Sequence, residues 1–166
     1  MIFFLDFDRT LFDTEKFYNA LERALIVPGN PVTVEDLARY LYADSIPFLE
    51  ERTRAGDICI LVSRGEVVIQ KTKAENSAII PYLSDALYVG PGKSKGDAIQ
   101  TYLNMHPGTQ KSFFLDDTIT ELEQVAEKCS DVTVVRMRRV TARNAGQEAP
   151  HLAEVKDFAG LKALLI

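Results

Sequence analysis

The stretch that most constrains this chain is its first dozen residues. Ile2, Phe3, Phe4 and Leu5 form an apolar run of strand length, and Asp6, Phe7, Asp8, Arg9 and Thr10 end it abruptly. A run this short and apolar at every position predicts a strand buried on both faces, the pattern of parallel sheets. Asp6 then puts a carboxylate where a buried strand surfaces, and open α/β sheets bind ligands outside the carboxyl ends of their strands. In an extended chain Asp6 and Asp8, two apart, would point to one side. Carboxylates held that close repel, and one pKa rises unless a cation intervenes. The pair points to a metal site, an acid/base pair or both. The plainer alternative is a polar turn after a strand, where Asp and Thr are ordinary residues.

The rest of the chain repeats the arrangement. Apolar runs predict further strands at Asp57 to Val62, Ala86 to Val89, Ser112 to Leu115 and Val132 to Met137. Between them lie helical patterns. Ser45 to Arg54 carries Pro47 in its first turn and Gly56 as its stop. Glu66 to Lys73 is a second. Ser94-x-x-Asp97 and Thr118-x-x-Glu121 read as capping boxes opening helices to about Leu103 and Lys128, and Val155 to Leu165 as a closing helix. Residues 13–43 stand apart as a two-helix insert, with Asp13 or Thr14 as the first N-cap and Thr33-x-x-Asp36 opening the second helix. Arg143 to Pro150 reads as mobile. Strands alternating with helices predict one α/β domain over residues 1–166, a Rossmann-like, doubly wound parallel sheet of five strands with a small helical cap at 13–43.

Composition narrows the function classes. A chain of 166 residues holds one domain with a proper core. The net charge of −5 argues against a dedicated nucleic-acid binder. Cys59 and Cys129 have neither metal-ligand spacing nor a disulfide framework. The amino terminus reaches Asp6 too soon for a signal peptide, and no apolar stretch approaches a membrane span. A reducing, cytoplasmic home is expected.

Polar residues recur where strands end: Asp6 and Asp8 after the first, Ser63 and Arg64 after the second, Asp116 and Asp117 after the fourth. Lys95 opens the helix after the third. The macrodipole disfavours a cation in a first helical turn, so a lysine there makes sense beside an anion. Taken alone, Asp116-Asp117 is better explained as an N-cap pair, and Ser63 as a turn serine. Gly92-Lys93-Ser94 is P-loop-like, but the first glycine of that motif would fall at Leu87. Arg136, Arg138, Arg139 and Arg143 form a basic cluster that reads first as a solvated loop and second as a contact to an anionic substrate. His106 and His151 are assigned no catalytic role.

Together these residues resemble the haloacid dehalogenase-like superfamily of phosphohydrolases. Asp6-Phe7-Asp8-Arg9-Thr10 matches its nucleophile motif, Ser63 the second motif, Lys95-Gly96-Asp97 the third and Asp116-Asp117 the acidic fourth, with Glu121 near a position that is often acidic. Lys95 fits the third motif better than Lys93. Arg9 departs from the pattern, since glycine is commoner there. The resemblance implies that Asp6 attacks phosphorus and that Asp8 serves as acid and then base. It implies Mg²⁺ held by Asp6, the Asp8 carbonyl and Asp117, with Asp116 assisting or orienting Lys95. It implies phosphate held by Ser63, Lys95, Thr10 and the backbone near Arg64. The expected substrate is a phosphorylated small molecule or a larger phosphate-bearing one, with no membrane partner; a homo-oligomer stays open. Asp8 disfavours dehalogenation, which needs no such acid. A phosphomutase or phosphotransferase of the same superfamily, or a non-catalytic phosphate-binding module, are the alternatives.

Overall fold

In the computed structural model, which describes residues 1–26, 36–108 and 110–165, the opening apolar run lies at the centre of a parallel sheet. The strands are β1 (Ile2–Leu5), β2 (Ile58–Arg64), β3 (Asp85–Val89), β4 (Ser112–Asp116), β5 (Val132–Met137) and β6 (Ala153–Val155). The helices are α1 (Thr14–Ile26), α2 (Ser45–Arg54), α3 (Val67–Glu75), α4 (Lys95–Met105), α5 (Ile119–Lys128) and α6 (Phe158–Leu164). The sheet order is β3-β2-β1-β4-β5-β6, and every neighbouring pair is parallel. The order reverses at β1 and β4, the switch point where such sheets open a crevice.

The pleat divides the core in two. Phe3 and Leu5 pack on one face with Cys59, Leu61, Phe113 and Leu115, under residues of α2, α3 and α6. Ile2 and Phe4 pack on the other with Ile60 and Phe114, under α4 and α5. Apolar residues at every position of β1 are therefore what a doubly wound sheet requires of its central strand.

The sheet has six strands where five were expected. Three residues, Ala153–Val155, are too short to show a period, and they pair with β5 at the start of what read as a closing helix. Asp157 then caps α6 by accepting from the Gly160 N–H at 2.8 Å. Nor is Arg143 to Pro150 loose: the Arg136 guanidinium donates to the carbonyls of Gln147 at 2.8 Å and Asn144 at 3.1 Å, and pairs with Glu154 of β6 at 2.8 Å.

The insert after β1 begins as expected. Asp13 caps α1, accepting from the Lys16 N–H at 3.0 Å. Thr33 of the second capping box lies outside the described residues; Leu37, Tyr40 and Leu41 fall in and beside a 3₁₀ turn, Ala38–Tyr40, rather than in a second α-helix. The two ends of the insert are stitched together by Asp13 N–H to the Tyr40 carbonyl at 2.7 Å and by Phe17 set edge-on to both Phe12 and Tyr40.

The α6 segment is integral to the first core face, because Phe158 stacks on Phe48 of α2 with centroids 4.0 Å apart and Arg139 lies over its ring. Phe158→Ala is expected to cost about 3–5 kcal/mol in urea denaturation. A loss below about 1 kcal/mol would mean that α6 is not part of the core.

Candidate active site

The chain leaves the sheet at Leu5, and a tight turn replaces the strand. The Phe7 carbonyl accepts from the N–H groups of Leu11 at 3.0 Å and Phe12 at 2.9 Å, while Arg9 N–H returns to the Phe12 carbonyl at 2.7 Å. Arg9 takes a left-handed φ of 64°, a conformation that glycine adopts without strain. Its guanidinium is anchored on Glu15 at 2.8 Å. Because extended geometry ends at Leu5, Asp6 and Asp8 do not share partners, contrary to the two-residue spacing. Asp6 joins the α4/α5 side of the sheet, and Asp8 is held by α1 and α3.

On the first side, the Lys95 ammonium bridges Asp6 Oδ1 at 2.5 Å and Asp116 Oδ2 at 2.6 Å, with the lysine only 3% exposed. Asp116 uses its other oxygen to accept from the Thr118 N–H at 2.8 Å. Asp117 accepts from Asn144 Nδ2 at 2.6 Å through Oδ2 and from the Thr118 hydroxyl at 3.2 Å through Oδ1. Asp6 Oδ2 is buried with no partner. Oxygen atoms of Asp6, Asp116 and Asp117 lie within 4.8 Å of one another, a grouping that could hold a metal ion. The Asp8 side chain is outside this group.

One buried ammonium against three buried carboxylates leaves an excess of negative charge. Burial pushes the Asp6 carboxyl well above its ordinary value; Lys95 pulls it back, and Asp116 and Asp117 push it up again. Burial, and then Asp116, raise Asp117 to about 6. Burial pulls Lys95 down, but Asp116 and Asp6 outweigh that pull and raise its pKa, so the ammonium stays charged.

On the second side, the Asp8 carboxylate receives Thr14 Oγ1 at 2.7 Å and pairs with Lys73, both on Oδ1. Ser63 lies inside β2, one residue before its end, and donates to Gln70 Oε1 at 3.2 Å. That approach needs Gly65, whose φ is 152° and whose missing Cβ would sit 2.8 Å from Gln70 Nε2. The Arg64 side chain turns to the buried Glu121 at 2.7 Å. Thr10 is fully buried, and its carbonyl rather than its hydroxyl is engaged, by Arg139 at 2.9 and 3.1 Å. The Thr118/Glu121 capping box does not form, because Thr118 turns to Asp117 and Glu121 to Arg64. Ser94 does cap α4, accepting from the Asp97 N–H at 3.3 Å.

The structure thus brings together Asp6, Lys95, Asp116 and Asp117, and sets Asp8 on partners of its own. Lys93 belongs to a separate cleft of about 710 Å³ along α4 and the β3 edge. The basic cluster is only partly solvated: Arg143 is exposed, but Arg136 and Arg139 are 1% and 4% exposed and bind backbone carbonyls. Lys73 and Asn144 were not legible as site residues, since they reach their partners from 65 and 27 residues away, nor were Thr14 and Gln70, which lie within six and seven residues of Asp8 and Ser63 but belong to no spaced motif.

No family model matches the sequence, and no curated protein matches it. Solved structures do share the fold. A protein of Burkholderia xenovorans described as a haloacid dehalogenase-like hydrolase superposes with a TM-score of 0.72 at 16% identity, covering 98% of this chain and 95% of that one. The HAD-hydrolase YfnB of Bacillus subtilis, solved bound to magnesium, gives 0.71 at 11% identity over 99% and 97%. A dehalogenase gives 0.66 at 14% over 98% and 95%. At these identities the likeness establishes the fold, which is that of the haloacid dehalogenase-like hydrolases.

The raised Asp117 pKa makes a signed prediction. Its folded value of about 6 lies above the ordinary 3.8, so between those values the folded state holds the proton that the unfolded state has lost. Stability of the metal-free protein should therefore fall as pH rises through that window. In chelator, Asp117→Asn should melt higher than wild type at pH 7, and the difference should shrink toward pH 4. A difference independent of pH would contradict the crowding described.

Proposed function

We propose that this chain is a Mg²⁺-dependent phosphatase that hydrolyses a phosphomonoester through a phosphoryl group carried on Asp6. The single observation that carries the reading is the buried Asp6 carboxylate at the end of the central strand. One of its oxygens is fixed by Lys95, the other has no partner, and Asp116 and Asp117 stand beside it.

The donor set fits magnesium, a hard cation that takes oxygen ligands. Asp6 and Asp117 would hold it with the Asp8 carbonyl, which accepts no hydrogen bond from the described residues. Asp116, unlike Asp117, pairs directly with the Lys95 ammonium, which suits that residue to orienting Lys95. When bound, the ion offsets the repulsion between the carboxylates and an incoming phosphate.

The chain's own residues then divide the work. The Asp6 carboxylate attacks phosphorus, forming a P–O bond while the ester P–O bond breaks. Asp8 gives the departing oxygen its proton, and in the second half takes a proton from the water that releases phosphate from Asp6. Lys95 and Ser63, with N–H groups of the turns after β1 and β2, stabilise the phosphoryl oxygens. Residues 13–43 serve as a small cap whose α1 begins at the site, through Thr14 on Asp8 and Glu15 on Arg9. A cover of that size suits a phosphorylated small molecule or a larger phosphate-bearing one. No described helix is long and apolar enough to cross a membrane.

Dehalogenation is the competing chemistry on this fold, and one assay separates the two. Phosphate release from an aryl phosphate and chloride release from a 2-chloroacid are measured with Mg²⁺ and with chelator. The reading expects Mg²⁺-dependent phosphate release, reduced to background by Asp6→Asn. Chloride release without phosphate release, or undiminished turnover by Asp6→Asn, would overturn it. Mg²⁺ at a hundredfold excess over its Kd should also stabilise the fold by about 2.7 kcal/mol, and Asp117→Ala should remove most of that gain.

A further inference from the structure

Lys73 is outside every motif that points to this site, yet it is only 8% exposed and its ammonium pairs with Asp8. It projects from α3, 65 residues along the chain from Asp8. The same ammonium lies 5.2 Å from the Phe7 ring centroid and 5.1 Å from that of Phe12, two rings stacked on each other at 4.9 Å. Two residues earlier on the same helix, Lys71 shows the ordinary outcome, 59% exposed beside Glu75. Burying an ammonium costs desolvation that its partners must repay, so Lys73 is held inward by the carboxylate and the two aromatic rings.

Its position on Asp8 is selective. Lys73 Nζ and Thr14 Oγ1 both reach Oδ1. Among the described residues, none donates to Oδ2, and that atom is not enclosed. A carboxylate bound through one oxygen by two donors from different elements cannot exchange its oxygens by rotation without breaking both contacts. Any proton passed to or from a substrate must then travel through Oδ2.

We propose that Lys73, seconded by Thr14, is a positioning residue that fixes the Asp8 carboxylate so that Oδ2 alone faces the leaving oxygen of the substrate. The proposal rests on the phosphatase reading above. It makes α3, the helix that follows the second-motif strand, part of the proton-transfer apparatus rather than a packing element only.

The test compares kcat/KM for an aryl phosphate with a good leaving group, p-nitrophenyl phosphate, against an alkyl phosphate whose alkoxide leaves only with a proton. kcat/KM reports the steps up to departure of the leaving group, so it isolates the acid role of Asp8 from its later role as base. Lys73→Met should lower kcat/KM for the alkyl ester by roughly 10²-fold and for the aryl ester by less than about tenfold, while Lys73→Arg recovers most of the loss. Added to Asp8→Asn, Lys73→Met should cause little further loss, since it acts through a group already removed. Thr14→Val, which buries no unpaired charge, should show the same bias in smaller measure, and it decides the matter if Lys73→Met does not fold. Equal losses on both esters, or additivity with Asp8→Asn, would reduce Lys73 to a structural staple and overturn the proposal while leaving the phosphatase reading intact. Failure of the wild-type protein to cleave either ester would overturn the phosphatase reading and the proposal with it.

Discussion

The Lys95 ammonium between Asp6 and Asp116 is the contact on which the rest of the site depends. It joins the ends of β1 and β4 to the first turn of α4, across the position where the strand order reverses. Buried charges are tolerated only when paired, and removing one partner of such a pair typically costs about 3–5 kcal/mol. Here the pairing is incomplete by design of the sequence: one lysine faces Asp6 and Asp116, with Asp117 beside them. Burial first, and then the neighbouring carboxylates, raise the carboxyl pKa values of Asp6 and Asp117, and the uncompensated negative charge gives a cation a reason to bind. The lysine in turn keeps Asp6 Oδ1 occupied, so the unpartnered Oδ2 is available for other work.

Around that contact the fold holds the loops that carry the acidic residues. Arg139 grips the Thr10 carbonyl with two guanidinium nitrogens, reaches Asp44 at 2.8 Å, and lies over the rings of Tyr42 and Phe158. The turn after β1 is therefore tied to α2, α6 and the segment after β5. Asn144 plays the same part for Asp117, donating to both its carbonyl and its carboxylate from a loop that Arg136 holds in place. Arginine suits these positions because its fork can meet several carbonyl oxygens at once.

What the sequence made legible, and what it hid, follows from how far each signal reaches. β1, β2, β4 and β5 and their terminal polar residues could be read because an apolar run and the residue that ends it are adjacent in the chain. Lys95 could be read because a cation in a first helical turn contradicts a local rule. The direction of Asp8 could not, since the two-residue spacing assumes a strand that stops at Leu5. Thr118 and Glu121 obeyed a local capping pattern, but the Thr118 hydroxyl goes to the adjacent Asp117 and Glu121 to the distant Arg64, so the capping pair does not form. Lys73 and Asn144 carry no local signal, because their roles come from residues 65 and 27 positions away. β6 escaped because three residues are too few to show a period.

The central claim is that Asp6 carries the phosphoryl group and that Asp8, on separate partners, handles the proton. The most direct measurement is the intact mass of Asp8→Asn after mixing with Mg²⁺ and acetyl phosphate, whose good leaving group needs little acid help. The account predicts one covalent phosphate per chain, labile to hydroxylamine as an acyl phosphate is and missing when Asp6→Asn is added to the same protein. A phosphate that persists in the Asp6→Asn background, or an unmodified Asp8→Asn protein that hydrolyses acetyl phosphate at the wild-type rate, would contradict it.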